Sequence, residues 1–203
     1  MIIAIEGHDR TGKTTLVNSL QHLLSAQVLQ RDRYFSHQVP TQSVERVNWL
    51  RKAPVEEVIA EHIRMYKRRE EACLSEDIIY IIDRGFLSLL AGSLASIIRQ
   101  KKCDIVKAFH LFEDIRESLS YEPKKSLEVF LYMPIPLDNC ITTIETRNGT
   151  ALDNSYIQYM HLFVQFLQLI VVLTPNVAKF NCLESPEMVC QAVISFIRRS
   201  IGQ

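Results

Sequence analysis

"IEGHDRTGKTT", residues 5–15, joins a short apolar run to a leucine-faced segment. Gly7 and Gly12-Lys13-Thr14 stand at the GxxxxGKT spacing, in the order strand, glycine loop, helix that the motif requires. Such a loop turns its backbone N–H groups toward an anionic phosphate, with the positive end of the following helix behind them. Lys13 is placed for the β- and γ-phosphates of a nucleoside triphosphate, and the Thr14 hydroxyl for Mg²⁺. His8, Asp9, Arg10, Thr11 and Thr15 complete the cradle. An acid and a base side by side, Asp9 and Arg10, exceed what holding one nucleotide needs. They point to a second substrate close by.

Working outward, five runs rich in Ile, Val, Leu and aromatics read as strands: 2–6, 27–30, 78–82, 127–132 and 177–181. Apolar runs without alternation suit strands buried on both faces of a parallel sheet. Helical spacing is expected over 13–25 and 54–75, and near 85–100, 104–120, 136–147, 154–172 and 186–200. Pro54 followed by Glu56 and Glu57 makes a good helix opening. Strands alternating with helices give an α/β doubly wound domain: five parallel strands, helices on both faces, and ligands beyond the carboxyl ends of the strands. One domain is expected over 1–203. In "IIYIIDRG", 78–85, a buried strand ends in Asp83 and Arg84 at that ligand edge. Asp83 is a candidate Mg²⁺ ligand and Arg84 a candidate phosphoryl clamp. The stretch 36–53 is hard to read, and Trp49 in it suits a hydrophobic anchor.

Composition narrows the function classes. Lys plus Arg and Asp plus Glu balance at 23 each, so no chain-wide basic footprint for nucleic acid or acidic membrane is expected. The five cysteines (73, 103, 140, 182, 190) form no CxxC pair, and read as reduced thiols of a cytoplasmic protein. No basic segment precedes the strand at Ile2, so no signal peptide is read. The apolar stretch 162–173 is short for a bilayer and reads as a buried helix. The six histidines show no metal-ligand spacing.

With these pieces in view, the chain resembles thymidylate kinase and its nucleoside-monophosphate kinase relatives. The matching parts are "IEGHDRTGKTT", an arginine-bearing helix before the third strand, "IIDRGFLS", "LEVFLYMPIPLDNCITTIETRNGTALD" leading into a lid near 146–155, and the closing "PEMVCQAVISFIRRSI". The resemblance implies a P-loop fold with a small lid. It also implies that Asp9 lies near the acceptor's sugar and orients a neighbouring arginine. Some members carry a catalytic arginine in the loop, as Arg10 would be here, and others supply arginines from the lid. This lid has only Arg147, with Asn154 after Asp153 where a base often stands. Arg31 resembles the family's phosphate-contacting arginine, with Arg33 beside it, and Arg64 lies close to the arginine that contacts the base. Arg68 shares its face, although "KRREE" at 67–71 also suits a solvated surface with i,i+4 pairs. The thymine-stacking aromatic is missing: Ile59 and Ala60 stand there, leaving Tyr34, Phe35, Trp49 or Tyr66 as substitutes.

The expected activity is ATP- and Mg²⁺-dependent phosphorylation of a (deoxy)nucleoside monophosphate, a pyrimidine deoxynucleotide such as dTMP first. Catalysis would rest on Asp9, Arg10, Lys13 and Arg84, as positioning and charge neutralisation dominate phosphoryl transfer. Two alternatives stand: a kinase of a nucleoside or other small alcohol, and a degenerate nucleotide-binding regulator. Related deoxynucleoside kinases usually show an acid plus "ERS" where this chain has "DRG". A homodimer is what the resemblance suggests.

Overall fold

Ile2–Glu6, the first strand (β1), is buried along its whole length and forms the centre of the sheet. The computed structural model describes residues 1–37, 39–40, 45, 49–50, 52–148 and 152–202. After β1 come α1 (Lys13–Leu23), β2 (Gln27–Leu29), a 3₁₀ turn (Arg31–Tyr34), α2 (Val55–Glu71), β3 (Tyr80–Asp83) and α3 (Phe86–Lys101). The chain continues through α4 (Ile105–Ser118), β4 (Leu127–Tyr132), α5 (Leu137–Asn148), α6 (Asn154–Leu173), β5 (Ala178–Asn181) and α7 (Pro186–Ile201). All neighbouring strands pair in parallel, in the order β2-β3-β1-β4-β5. The expected five-stranded parallel sheet is therefore present.

Alternation along the strands divides the core. Ile3, Ile5, Ile81, Val129 and Leu131 pack under α1 and α7, against Leu16, Leu20, Val193 and Ile197. On the other face, Phe130 meets Ala91 and Ala95 of α3 and Phe163 and Leu167 of α6. Beyond them α2, α3 and α4 share a third cluster around Ile63, Leu94, Ile97 and Phe112. Local signals set the helix starts: Asp104, Asp153 and Ser185 accept the N–H of Lys107, Tyr156 and Met188. The apolar stretch at 162–173 belongs to α6, a 20-residue helix of mean hydropathy 1.6. By length and composition alone α6 could cross a membrane, yet here it lies along α3 with Met160, Phe163, Val164, Leu167 and Val171 buried. The five cysteines are free.

Two connections position the site. Gly7 holds φ 146°, and a Cβ there would sit 2.7 Å from the Leu131 carbonyl oxygen. Only glycine lets the loop leave β1 across the end of β4. At the end of β3, a Cβ on Gly85 would come within 2.5 Å of Ala4 Cβ and 2.8 Å of Glu6 Oε1. The start of α3 therefore rests directly on β1.

Candidate active site

The carboxyl ends of β1, β2 and β3 open into one cavity of about 660 Å³ between α2, α3 and α6. From the loop 7–12 Asp9 lines it, and α1 begins at Lys13 after Gly12 with no side-chain cap and no acid in its first turn. The first-turn N–H groups thus have no competing side-chain acceptor, as an anion site requires. Lys13 Nζ donates to the His8 carbonyl at 2.6 Å, and Thr11 Oγ1 to the same oxygen at 2.9 Å. Burial, with Arg84 adding to it, pulls the Lys13 ammonium down to about 8. Burial likewise lowers His8, whose ring N–H donates to the Asp9 carbonyl at 2.7 Å.

Asp9 and Arg10 part company. Asp9 Oδ1 takes a hydrogen bond from Arg84 Nη2 at 2.5 Å, and Oδ2 one from the Tyr156 hydroxyl at 3.2 Å. Burial opposes the Asp9 charge, but Arg84, then Lys13 and Tyr156, outweigh it and hold the carboxyl below its ordinary range. Arg10 turns the other way, donating from Nη2 to the Thr143 carbonyl of α5 at 3.1 Å. Asp9 thus faces the cavity, while Arg10 reaches toward the helix that leads into residues 149–151.

Asp9, Thr14, Arg31, Asp83 and Arg84 all line the cavity. Asp83 Oδ1 is buried and has no hydrogen-bond partner among the described residues. One unpartnered carboxylate oxygen and a Thr14 hydroxyl in the lining of one cavity are the donor types that suit a hard cation taking its other ligands from phosphate and water. No group of three His, Cys, Asp or Glu side chains lies together among the described residues.

Arg64 is not brought to the cavity. Val58, Ile59, His62 and Tyr66 are the α2 residues that line it. Arg64 lies on the order of 200° round the helix from His62, pairs with Glu61 at 3.6 Å, and is 47% exposed. Arg68 joins the same acid at 2.9 Å. The Arg147 side chain lies outside the described part of the chain.

Several lining residues escaped the sequence reading. Tyr156, Tyr159 and Phe163 form an aromatic wall from α6, with Tyr159 and Phe163 stacked at 6.0 Å and 14°. Arg84 lies 5.2 Å over the Phe163 ring. The i, i+3, i+7 aromatic spacing was visible, but core packing produces the same spacing. His62 donates through Nδ1 to the Val58 carbonyl at 2.8 Å, and burial, then Arg31, pushes it down to about 4. It is therefore a neutral ring whose Nε2 is an acceptor. Arg99 of α3 adds a further cation to the cavity wall, bonded to the Ser155 hydroxyl.

No protein-family model and no curated sequence matches the chain. Solved structures do. The thymidylate kinase of Candida albicans superposes with a TM-score of 0.64 at 16% identity, covering 98% of this chain and 91% of that one. The deoxyadenosine kinase of M. mycoides, solved with bound dATP, gives 0.65 at 13% identity over 98% and 100%. The thymidylate kinase of Ehrlichia chaffeensis gives 0.60 at 15% identity over 98% of each chain. The fold is that of the P-loop kinases. The loop 7–15 and the cavity beside Asp9 and Arg84 lie at the carboxyl ends of the strands.

Proposed function

We propose that this P-loop kinase fold transfers the γ-phosphoryl group of ATP to a nucleoside monophosphate, a pyrimidine deoxynucleotide such as dTMP first, yielding the diphosphate. The observation that carries the reading is the convergence of Arg31 and the Asp9–Arg84 pair in one cavity beside the phosphate loop. An acceptor phosphate carries close to two negative charges near neutral pH, and arginine forks answer that charge. A nucleoside would leave Arg84 and Arg31 with only their protein partners, Asp9 and Asp32. The deoxyadenosine kinase likeness makes the nucleoside the natural control.

In this reading the backbone of Gly7, His8, Asp9, Arg10, Thr11 and Gly12, with Lys13, Thr14 and Thr15, holds the donor phosphates. Thr14 and Asp83 would hold Mg²⁺, which when bound neutralises phosphate charge and orients the transferring group. Arg84 and Arg31 hold the acceptor's phosphate, and Asp9 aims Arg84. Arg64, turned away from the cavity, is left out of this assignment, and neutral His62 offers its acceptor nitrogen to a base N–H instead. Arg10 would neutralise charge on the transferring group, and Arg147, in a lid over 146–155, would contact the ATP. A cytoplasmic enzyme acting as a homodimer is the matching biological setting.

The test is ADP release against a panel of nucleoside monophosphates and nucleosides, with Lys13→Ala as the control. Lys13→Ala is expected to abolish turnover with an unchanged circular dichroism spectrum. Near wild-type turnover in that variant removes the phosphate-loop assignment. Turnover with no acceptor on the panel favours a nucleotide-binding regulator.

A further inference from the structure

Among the described residues Arg69 is the largest fully buried side chain, at 0% exposure, although it sits in the most charged run of α2. Among the described residues its guanidinium forms no salt bridge, and its hydrogen bonds go to main-chain oxygens. Nη1 donates to the Asp83 carbonyl at 3.2 Å and Nη2 to the Arg84 carbonyl at 2.7 Å. One turn earlier on α2, the Tyr66 hydroxyl donates to the same Arg84 carbonyl at 2.9 Å. Both acceptor positions of that oxygen are thereby used. The Tyr66 ring also lies 4.3 Å under the Arg69 guanidinium, within cation–π range. On its other side, the Arg84 N–H donates to the Ile5 carbonyl of β1 at 2.9 Å.

The backbone so gripped is a costly one. Arg84 holds φ 63°, in the left-handed region that side chains other than glycine avoid. Arg69 Nε finds no hydrogen-bond partner among the described residues. Burying a cation with a bare donor is not an arrangement that stability alone favours. What it does secure is the direction in which Arg84 leaves the backbone, toward Asp9 and into the cavity.

We infer that Arg69 and Tyr66 are positioning residues: a buried clamp on the Arg84 carbonyl that aims the Arg84 guanidinium at the acceptor's anionic group. The inference rests on the reading of Arg84 as a ligand of the acceptor phosphate. Arg69 does not line the cavity; Tyr66 does, but its hydroxyl is spent on the Arg84 carbonyl. Burial drives the Tyr66 phenol up to about 12, so it stays a donor across the working range of pH.

The experiment is steady-state kinetics of Tyr66→Phe, Arg69→Met, Arg69→Lys and Arg84→Ala, with each clamp variant repeated in the Arg84→Ala background. Tyr66→Phe and Arg69→Met are expected to raise the acceptor KM by about tenfold, the scale of one lost buried hydrogen bond. The ATP KM should stay within about twofold, and Arg69→Lys should recover part of the loss. In the Arg84→Ala background the clamp variants should add nothing, because the group they aim is gone. Clamp effects that persist at full size without Arg84, or a folded Tyr66→Phe with unchanged acceptor KM, overturn the clamp. Tyr66→Phe removes one hydroxyl only, so it decides the matter if Arg69→Met fails to fold. If Arg84→Ala itself leaves the acceptor KM unchanged, the underlying reading of Arg84 fails and takes the clamp with it.

Discussion

Arg10 and Arg84 both hold left-handed backbone conformations, at φ 75° and 63°. For a residue with a Cβ this costs roughly 1–2 kcal/mol, and such outliers gather where a side chain must be aimed. Arg10 is the sharper case because its guanidinium reaches away from its neighbour Asp9 to the Thr143 carbonyl. Arg10→Gly should relieve the backbone and leave Tm unchanged or raised. If Arg10 neutralises charge developing in transfer, the same variant should lower kcat by about 10²–10³ with the ATP KM nearly constant. A fall in kcat of less than about fivefold, on the order of 1 kcal/mol, removes Arg10 from the transfer step. Gly85 is the converse residue. With Ala4 Cβ at 2.5 Å and Glu6 Oε1 at 2.8 Å from a would-be Cβ, Gly85→Ala forces α3 off β1. A loss of roughly 1–3 kcal/mol, read by denaturant unfolding, is expected.

Between elements, the register of β1 and β4 has a consequence for stability. Ala4 faces Glu128 and Glu6 faces Phe130, so Glu6 and Glu128 fall two residues apart on the same face of the sheet. Burial first, then the charge of Glu6, drives Glu128 from its ordinary 4.5 up to about 8. Between those values the native chain keeps a proton that the unfolded chain has released. Stability from this group is therefore complete below about pH 4.5 and declines as pH rises toward 8. Glu128→Gln should flatten that decline in unfolding curves taken from pH 5 to 8. An unchanged slope means that Glu128 carries no such proton.

The elements themselves were legible, because buried parallel strands and leucine-faced helices leave strong periodic marks. The strand expected at 78–82 forms over Tyr80–Asp83, which still delivers Asp83 and Arg84 to the sheet edge. What the sequence concealed was helical phase and backbone partners. Within "KRREE", Lys67 and Arg68 are half-buried while Arg69 is fully buried, and its hydrogen bonds go to main-chain oxygens that no side-chain pattern reveals. The same phase puts His62 rather than Arg64 at the cavity, a distinction finer than a sequence-based helix boundary.

Across the whole molecule, the sheet order brings two loops to one cleft. The chain leaves central β1 for edge strand β2 and comes back to β3 on one side, then crosses to β4 and β5 on the other. The phosphate loop and the Asp83–Arg84 turn, from adjacent strands, thereby meet at the same edge. In the proposed function a donor phosphate on the loop and an acceptor phosphate on Arg84 would face each other, with Tyr156, Tyr159 and Phe163 of α6 lining the same cavity. Alignment of this kind is where most of the rate of phosphoryl transfer arises. The central claim is that the cavity is built for a phosphorylated acceptor. The direct measurement is the ratio of kcat/KM for a pyrimidine deoxynucleoside monophosphate to that for its nucleoside, in the wild type and in Arg84→Ala. The expected ratio exceeds about 10² in the wild type, the weight of one charge-assisted contact of roughly 3 kcal/mol, and falls sharply in the variant. A nucleoside that matches or outperforms its monophosphate contradicts the account.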